Sequence, residues 1–149
     1  MPNDAPLSAA ETSDLRAFAG MMIPPNASYG VPGADDDAIF ADIVKSLGRD
    51  RNDVGAALKR LAELAGGAFA ELPAGRCREA ADAFRGEGGL PLAAITRVIL
   101  LCYYRDDRVM RSLGQEPRSP FPKGHAVDQG DWSLLDPVKK RAPFYRRVP

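Results

Sequence analysis

Residues 91–113 read PLAAITRVILLCYYRDDRVMRSL, and the helix written there organises the rest of the chain. Leu92, Ile95, Ile99 and Cys102 recur at three- and four-residue steps, and Val109, seven residues on, and Leu113 continue the same apolar stripe. Val98, Leu101 and Tyr104 fill much of the other side, so the middle of this helix is expected to be buried nearly all round, as a central helix must be. Pro91 suits a first helical turn, where its missing N–H removes no bond, and Gly114 suits a left-handed stop. From Tyr103 to Arg111 the pattern turns amphipathic, and the charged side chains leave the core. Asp106 and Asp107 are adjacent and so point about 100° apart on a helix, which gives them no shared acid–base site. Ion pairs with Arg105, Arg108 or Arg111 are their expected state.

Four more helices are expected upstream. Ser8 and Glu11 have capping-box spacing, and Leu15, Phe18 and Met22 follow on one face before Pro24-Pro25 ends the helix. Asn26 to Ala34, with Gly30, Pro32 and Gly33, reads as a loop. Asp35, Asp36 and Asp37 then place negative charge at the N-terminus of a helix carrying Ile39, Phe40, Ile43, Val44 and Leu47. These three carboxylates lack the alternation and the distal ligand of a calcium loop. Asn52 or Asp53 is expected to cap a third helix with Val54, Leu58, Leu61 and Ala65, ending at Gly66-Gly67. Pro73 suits the first turn of a fourth, with Cys77, Ala80, Ala81 and Phe84, ending at Gly86, Gly88 and Gly89. Those glycines follow no strand and have no Lys-Ser/Thr pair, so they read as an interhelical turn and not a phosphate loop. The expected fold is all-α, with about five helices in residues 1–114.

Residues 115–149 are of another kind. Phe121, Trp132, Leu134, Leu135, Phe144 and Tyr145 stand among Pro117, Pro120, Pro122, Pro137 and Pro143. Prolines at this density forbid a continuous helix or a central strand. Disorder is equally unsuited, because disordered segments are poor in aromatics and this one holds the chain's single Trp. The reading is a long, extended, Pro-rich C-terminal arm whose large side chains need a cover, either from its own domain or from another protein. The six aromatic and aliphatic residues just named are its candidate partner-binding anchors.

A chain of 149 residues can bury about 70% of its unfolded surface, enough for one core without metals or disulfides. The formal net charge is zero, but the first 114 residues hold 16 acidic and 13 basic side chains against 4 and 7 in the arm. No global field, basic helix or aromatic–basic sheet pattern recruits nucleic acid. The longest strongly apolar stretch, Val98 to Tyr104, is about a third of a membrane span. Met1 to Glu11 reads as no export signal, so a soluble, cytoplasmic protein is expected, with Cys77 and Cys102 as reduced thiols on facing core helices. His125 is the single histidine; it lies in the arm without a residue to orient it, and no nucleophile elbow stands elsewhere.

Several segments together resemble the gluconate 2-dehydrogenase subunit 3 family, the small subunits of flavin-dependent sugar and alcohol dehydrogenases. They are the helix leading to Met22-Ile23-Pro24-Pro25, the loop Tyr29-Gly30-Val31-Pro32-Gly33-Ala34 before Ile39-Phe40, and Tyr103-Tyr104-Arg105-Asp106. Phe121-Pro122-Lys123-Gly124 and Gly130-Asp131-Trp132-Ser133-Leu134-Leu135-Asp136-Pro137-Val138 complete the series, which spans nearly the whole chain. The resemblance implies a helical, cofactor-free, non-catalytic subunit. It would bind and stabilise a large FAD-containing subunit of the glucose-methanol-choline type, on which sugar or alcohol oxidation occurs. Family small subunits often carry a twin-arginine leader, which this sequence does not show, so the expectation stays with a cytoplasmic complex, or a periplasmic one if the partner bears the signal. Two other readings of the same residues remain: a stand-alone helical adaptor, and a small enzyme using His125 or an Asp pair.

Overall fold

The computed structural model describes residues 6–119, 121–124 and 126–143. Within them the fold is all-α, with helices α1 (Ala9–Met22), α2 (Asp37–Lys45), α3 (Arg51–Ala65), α4 (Ala74–Glu87), α5 (Gly89–Tyr104), α6 (Asp107–Ser112) and α7 (Asp136–Lys139). Three 3-10 turns, Gly48–Asp50, Phe69–Glu71 and Trp132–Leu135, join or lead into them. The only strand-like pairing among the described residues is one antiparallel bridge between Asn26 and Val31. The chain divides into two compact units, Met1–Pro117 and Arg118–Pro149.

Helix starts follow local chemistry. Ser8 and Glu11 form a reciprocal capping box, the Glu11 amide donating to Ser8 Oγ at 3.2 Å and the Ser8 amide to Glu11 Oε2 at 2.8 Å. Of the three consecutive aspartates, Asp36 is the cap of α2, accepting from the Ala38 amide at 3.1 Å. The third helix differs from expectation. It begins at Arg51, directly after the 3-10 turn, so Asn52 and Asp53 lie inside its first turn and cap nothing. The Asp50 amide donates to Leu47 O at 2.8 Å, and this tight turn leaves no extended residue from which a side chain could cap. Gly66, at φ 74°, closes α3 with the paired bonds of a Schellman motif, Gly66 N–H to Glu63 O and Gly67 N–H to Ala62 O.

The expected single helix over 91–113 is two. α5 starts at Gly89 and ends at Tyr104; Asp106 turns extended (ψ 131°), and its carboxylate accepts from the Arg108 amide at 2.9 Å to start α6. An aspartate competes for backbone donors in this way, and here it wins over a stripe that skips Arg105-Asp106 and resumes at Val109.

In the first unit α3 lies against α4 and α5, α2 lies against α5, and α1 lies against α3 and the Phe69–Glu71 turn. α4 and α5 meet at Gly88 with a bend of 118°. Leu15, Ile39, Ile43, Leu58, Leu61, Phe69, Phe84, Ile95 and Ile99 form the buried centre. The Phe18 ring meets Phe69 and Phe84 edge-on, with centroids 6.2 and 6.3 Å apart. The expectation that α5 is buried nearly all round is corrected: Leu101 is 56% and Tyr104 53% exposed. α2 and α3 lie against one side of the helix, and Leu90, Leu100, Leu101 and Tyr104 are left exposed.

The thiols of Cys77 and Cys102 are free, as expected, and differ in burial. Cys102 is buried on α5, whereas Cys77 is half-buried at the start of α4 and donates to the carbonyls of Phe69 and Leu72, both at 3.3 Å.

In the second unit the arm is not extended throughout. Asp131 caps a helical turn, accepting from the Ser133 amide at 3.0 Å and its hydroxyl at 2.6 Å, and the turn runs on into α7. Pro137 falls in the first turn of α7, where its missing N–H breaks no bond, so a proline that argued against helix is compatible with this short one.

Candidate functional site

The arm presents its apolar side chains outward. Phe121 is 86%, Trp132 67% and Leu134 74% exposed, and Leu135 and Val138 are also exposed. Trp132, Leu134 and Leu135 share the one short turn fixed by Asp131, whose carboxyl is held below its usual range by the hydrogen bonds from Ser133. Phe144 and Tyr145, the other two expected anchors, lie outside the described residues, as does His125.

In the helical unit the segments behind the family resemblance act as clamps. Asn26 Oδ1 accepts from the Ser28 amide at 2.9 Å, Asn26 and Val31 exchange backbone bonds of 3.0 and 3.1 Å, and Gly30 takes φ 62° to close the turn. This small hairpin is tied down from both sides: the Ala34 amide donates to Ile23 O at 2.9 Å, and the Tyr103 hydroxyl donates to Pro32 O at 3.3 Å. Tyr29 stands at its tip, 71% exposed. Arg108 bridges the Asp36 carboxylate at 2.7 Å and Asp106 at 3.0 Å, joining α6 to the cap of α2. Arg105 reaches from the end of α5 to Asp42 at 2.5 Å and to the Ser46 hydroxyl, and Arg16 joins α1 to Asp37 and to the Asp35 carbonyl.

Three of these carboxylates are held in their ionised form by the arginines beside them. The Arg108 guanidinium holds the carboxyls of Asp36 and Asp106 below the usual range, and Arg105 does the same for Asp42. Asp107 pairs with Arg111 at 3.0 Å, so the Asp106–Asp107 pair is divided between two cations, as ion pairing predicts. Burial pushes the Cys102 thiol up, away from the thiolate a nucleophile needs. Among the described residues no three His, Cys, Asp or Glu side chains are grouped to hold a metal ion, and no single helix is long and apolar enough to cross a membrane.

Besides the arm, a second apolar surface went unforeseen in the sequence. The outer side of α5 shows Leu90, Leu100, Leu101 and Tyr104, and beside it lies an open groove of about 720 Å³ lined by Leu92, Ala93, Thr96, Arg97, Leu100 and Leu101. A further cleft of about 590 Å³ shares Leu92 and Thr96 and reaches Met21 and Met22 at the end of α1. The one signal available in the sequence was Arg97, a charge set inside an otherwise apolar run. No family model, curated protein or solved structure matches the chain.

Proposed function

We propose that this protein is a non-catalytic small subunit that binds and stabilises a large FAD-dependent oxidoreductase of the glucose-methanol-choline type, with flavin and sugar or alcohol oxidation on the partner. The observation that carries the reading is the exposure of Phe121, Trp132, Leu134 and Leu135 on one short arm. Large apolar side chains grouped in this way mark protein interaction surfaces, and Trp is the residue most enriched among binding hot spots. The capped turn at Asp131 supports it further, because an anchor held in shape loses less entropy when bound. The chemistry supports a subunit without its own active site, since the carboxylates are paired with arginines and the buried thiol is held protonated. The flavoprotein identity of the partner rests on the family resemblance.

The test is purification of the tagged full chain from its native cells, with identification of what co-purifies, followed by co-expression with any large flavoprotein recovered. The expected result is a stoichiometric complex that carries the flavin spectrum, while the chain purified alone carries none. Flavin bound to the isolated chain, or recovery of the chain without any flavoprotein, would overturn the reading.

A further inference from the structure

We propose that the outer face of α5 is a second docking seam for the same large subunit, taken by an apolar helix of the partner that brings a carboxylate to Arg97; this rests on the proposed function. Leu90, Ala93, Arg97, Leu100 and Tyr104, all exposed, follow one another at steps of three, four, three and four residues. That is the spacing by which one helix meets another along a seam, and α5 has already satisfied its opposite side against α2 and α3.

Charge and size choose the occupant. Arg97, the one charge on the stripe, shares its carboxylate partner Asp50 with Arg49, whose Nε is 3.9 Å from it, so a single acid serves two guanidiniums here. The arginines further along are matched, Arg105 with Asp42 and Arg108 with Asp36 and Asp106. Arg97 lies midway along the stripe, so antiparallel pairing with a second copy would set two surplus guanidiniums across the two-fold axis. A heterologous helix carrying Asp or Glu removes that repulsion. The seam is also too small to hold a dimer unaided. A 16-residue helix is about 24 Å long and offers a strip about 10 Å wide, well short of the roughly 1,200 Å² of total buried area that a stable interface needs. It suits a partner that is held elsewhere as well, as the arm would hold it.

The experiment measures binding of the full chain to the purified flavoprotein, comparing wild type with Leu101→Asp, Arg97→Gln and a chain carrying a photo-crosslinking phenylalanine in place of Tyr104. Leu101→Asp is expected to weaken binding at least tenfold with an unchanged circular-dichroism melt, Arg97→Gln to weaken it less and to lessen its salt dependence, and position 104 to crosslink to the flavoprotein. If wild type binds the flavoprotein but Leu101→Asp binds equally well and position 104 gives no crosslink, the seam is unused and the proposed function stands. If wild type binds no flavoprotein, both fall. A wild-type homodimer that Leu101→Asp dissociates would give the seam to a second copy and overturn the inference.

Discussion

The carboxylate of Asp14, the one charged side chain buried in the helical unit among the described residues, accepts the amide hydrogen of Ala70 at 2.8 Å. The bond spans 56 positions of sequence and fixes the 3-10 turn Phe69–Glu71 against α1, which sets Phe69 beside Phe18. Asp14→Ala should therefore lower stability by about 1–3 kcal/mol, because it leaves a buried N–H without an acceptor. Asp14→Asn keeps an acceptor and should lose less. Urea titrations of the two variants give the comparison, and equal losses would show that the hydrogen bond is not what matters.

Two glycines predict opposite outcomes. A Cβ on Gly33 would stand 3.0 Å from Pro25 Cδ and 3.1 Å from its backbone nitrogen, and would press on the Asp35 carboxylate. Gly33→Ala should cost about 1–3 kcal/mol, since a proline backbone cannot move aside. Gly55 lies inside α3 with nothing within 4 Å of a Cβ, so Gly55→Ala should stabilise by about 0.5–1 kcal/mol. Thermal melts would separate the two directions.

Acid should remove the contribution of Arg108. Asp36 and Asp106 have folded pKa values below the ordinary 3.8, with the Arg108 hydrogen bond as the largest cause. A depressed carboxyl contributes stability above its unfolded pKa and loses it as pH falls through the folded one. Arg108→Gln should thus be less stable than wild type at neutral pH by on the order of 1 kcal/mol, because the pairs are partly solvated. The difference should shrink as pH falls below about 4. Denaturation midpoints measured from pH 7 to 3 test this; a constant gap would refute it.

Trp132 provides an optical test of the arm. As the single Trp, 67% exposed, it should emit at long wavelength in the free chain and be open to iodide quenching. Binding of the flavoprotein should shift the emission to the blue and protect it. Trp132→Ala should cost about 2–4 kcal/mol of binding if the ring fills a pocket. Unchanged emission in the complex would remove Trp132 from the interface.

Some caps and stops of the helical unit were legible because each depends on a few neighbouring residues, Ser8 with Glu11, Asp36 before Ile39 and Gly66 after Ala65, whereas the start of α3 was not, since the 3-10 turn Gly48–Asp50 leads into it and leaves Asn52 and Asp53 inside the helix. The division of α5 from α6 was not, since the stripe resumes in register at Val109 after Arg105-Asp106 and only the local geometry shows that Asp106 takes the Arg108 amide. The outer face of α5 was hidden for a different reason. Periodicity tells which residues share a face, not which faces find a neighbour, and Leu101 and Tyr104 drew a face that is left exposed. In the arm the prolines masked the turn at Trp132–Lys139, because Pro137 occupies one of the few helical positions that tolerate it. Trp132, Leu134 and Leu135 themselves were legible, being too apolar for the company they keep.

The packing of α1 also bears on the order of events during synthesis. Its face, Leu15 and Phe18, is made early, but Phe69, Ala70 and Phe84, which complete its setting, come some 50 to 70 positions later. At about 5–20 residues per second, the ribosome leaves that first helix waiting roughly 3–13 s for its neighbours. Through that interval α3 emerges and offers α1 a first contact, while α2 still awaits α5, so the earliest helix made is locked in place only when the Phe69–Glu71 turn and Phe84 arrive. Its Ser8–Glu11 box, complete within four residues, is the part of it that needs no later chain to form.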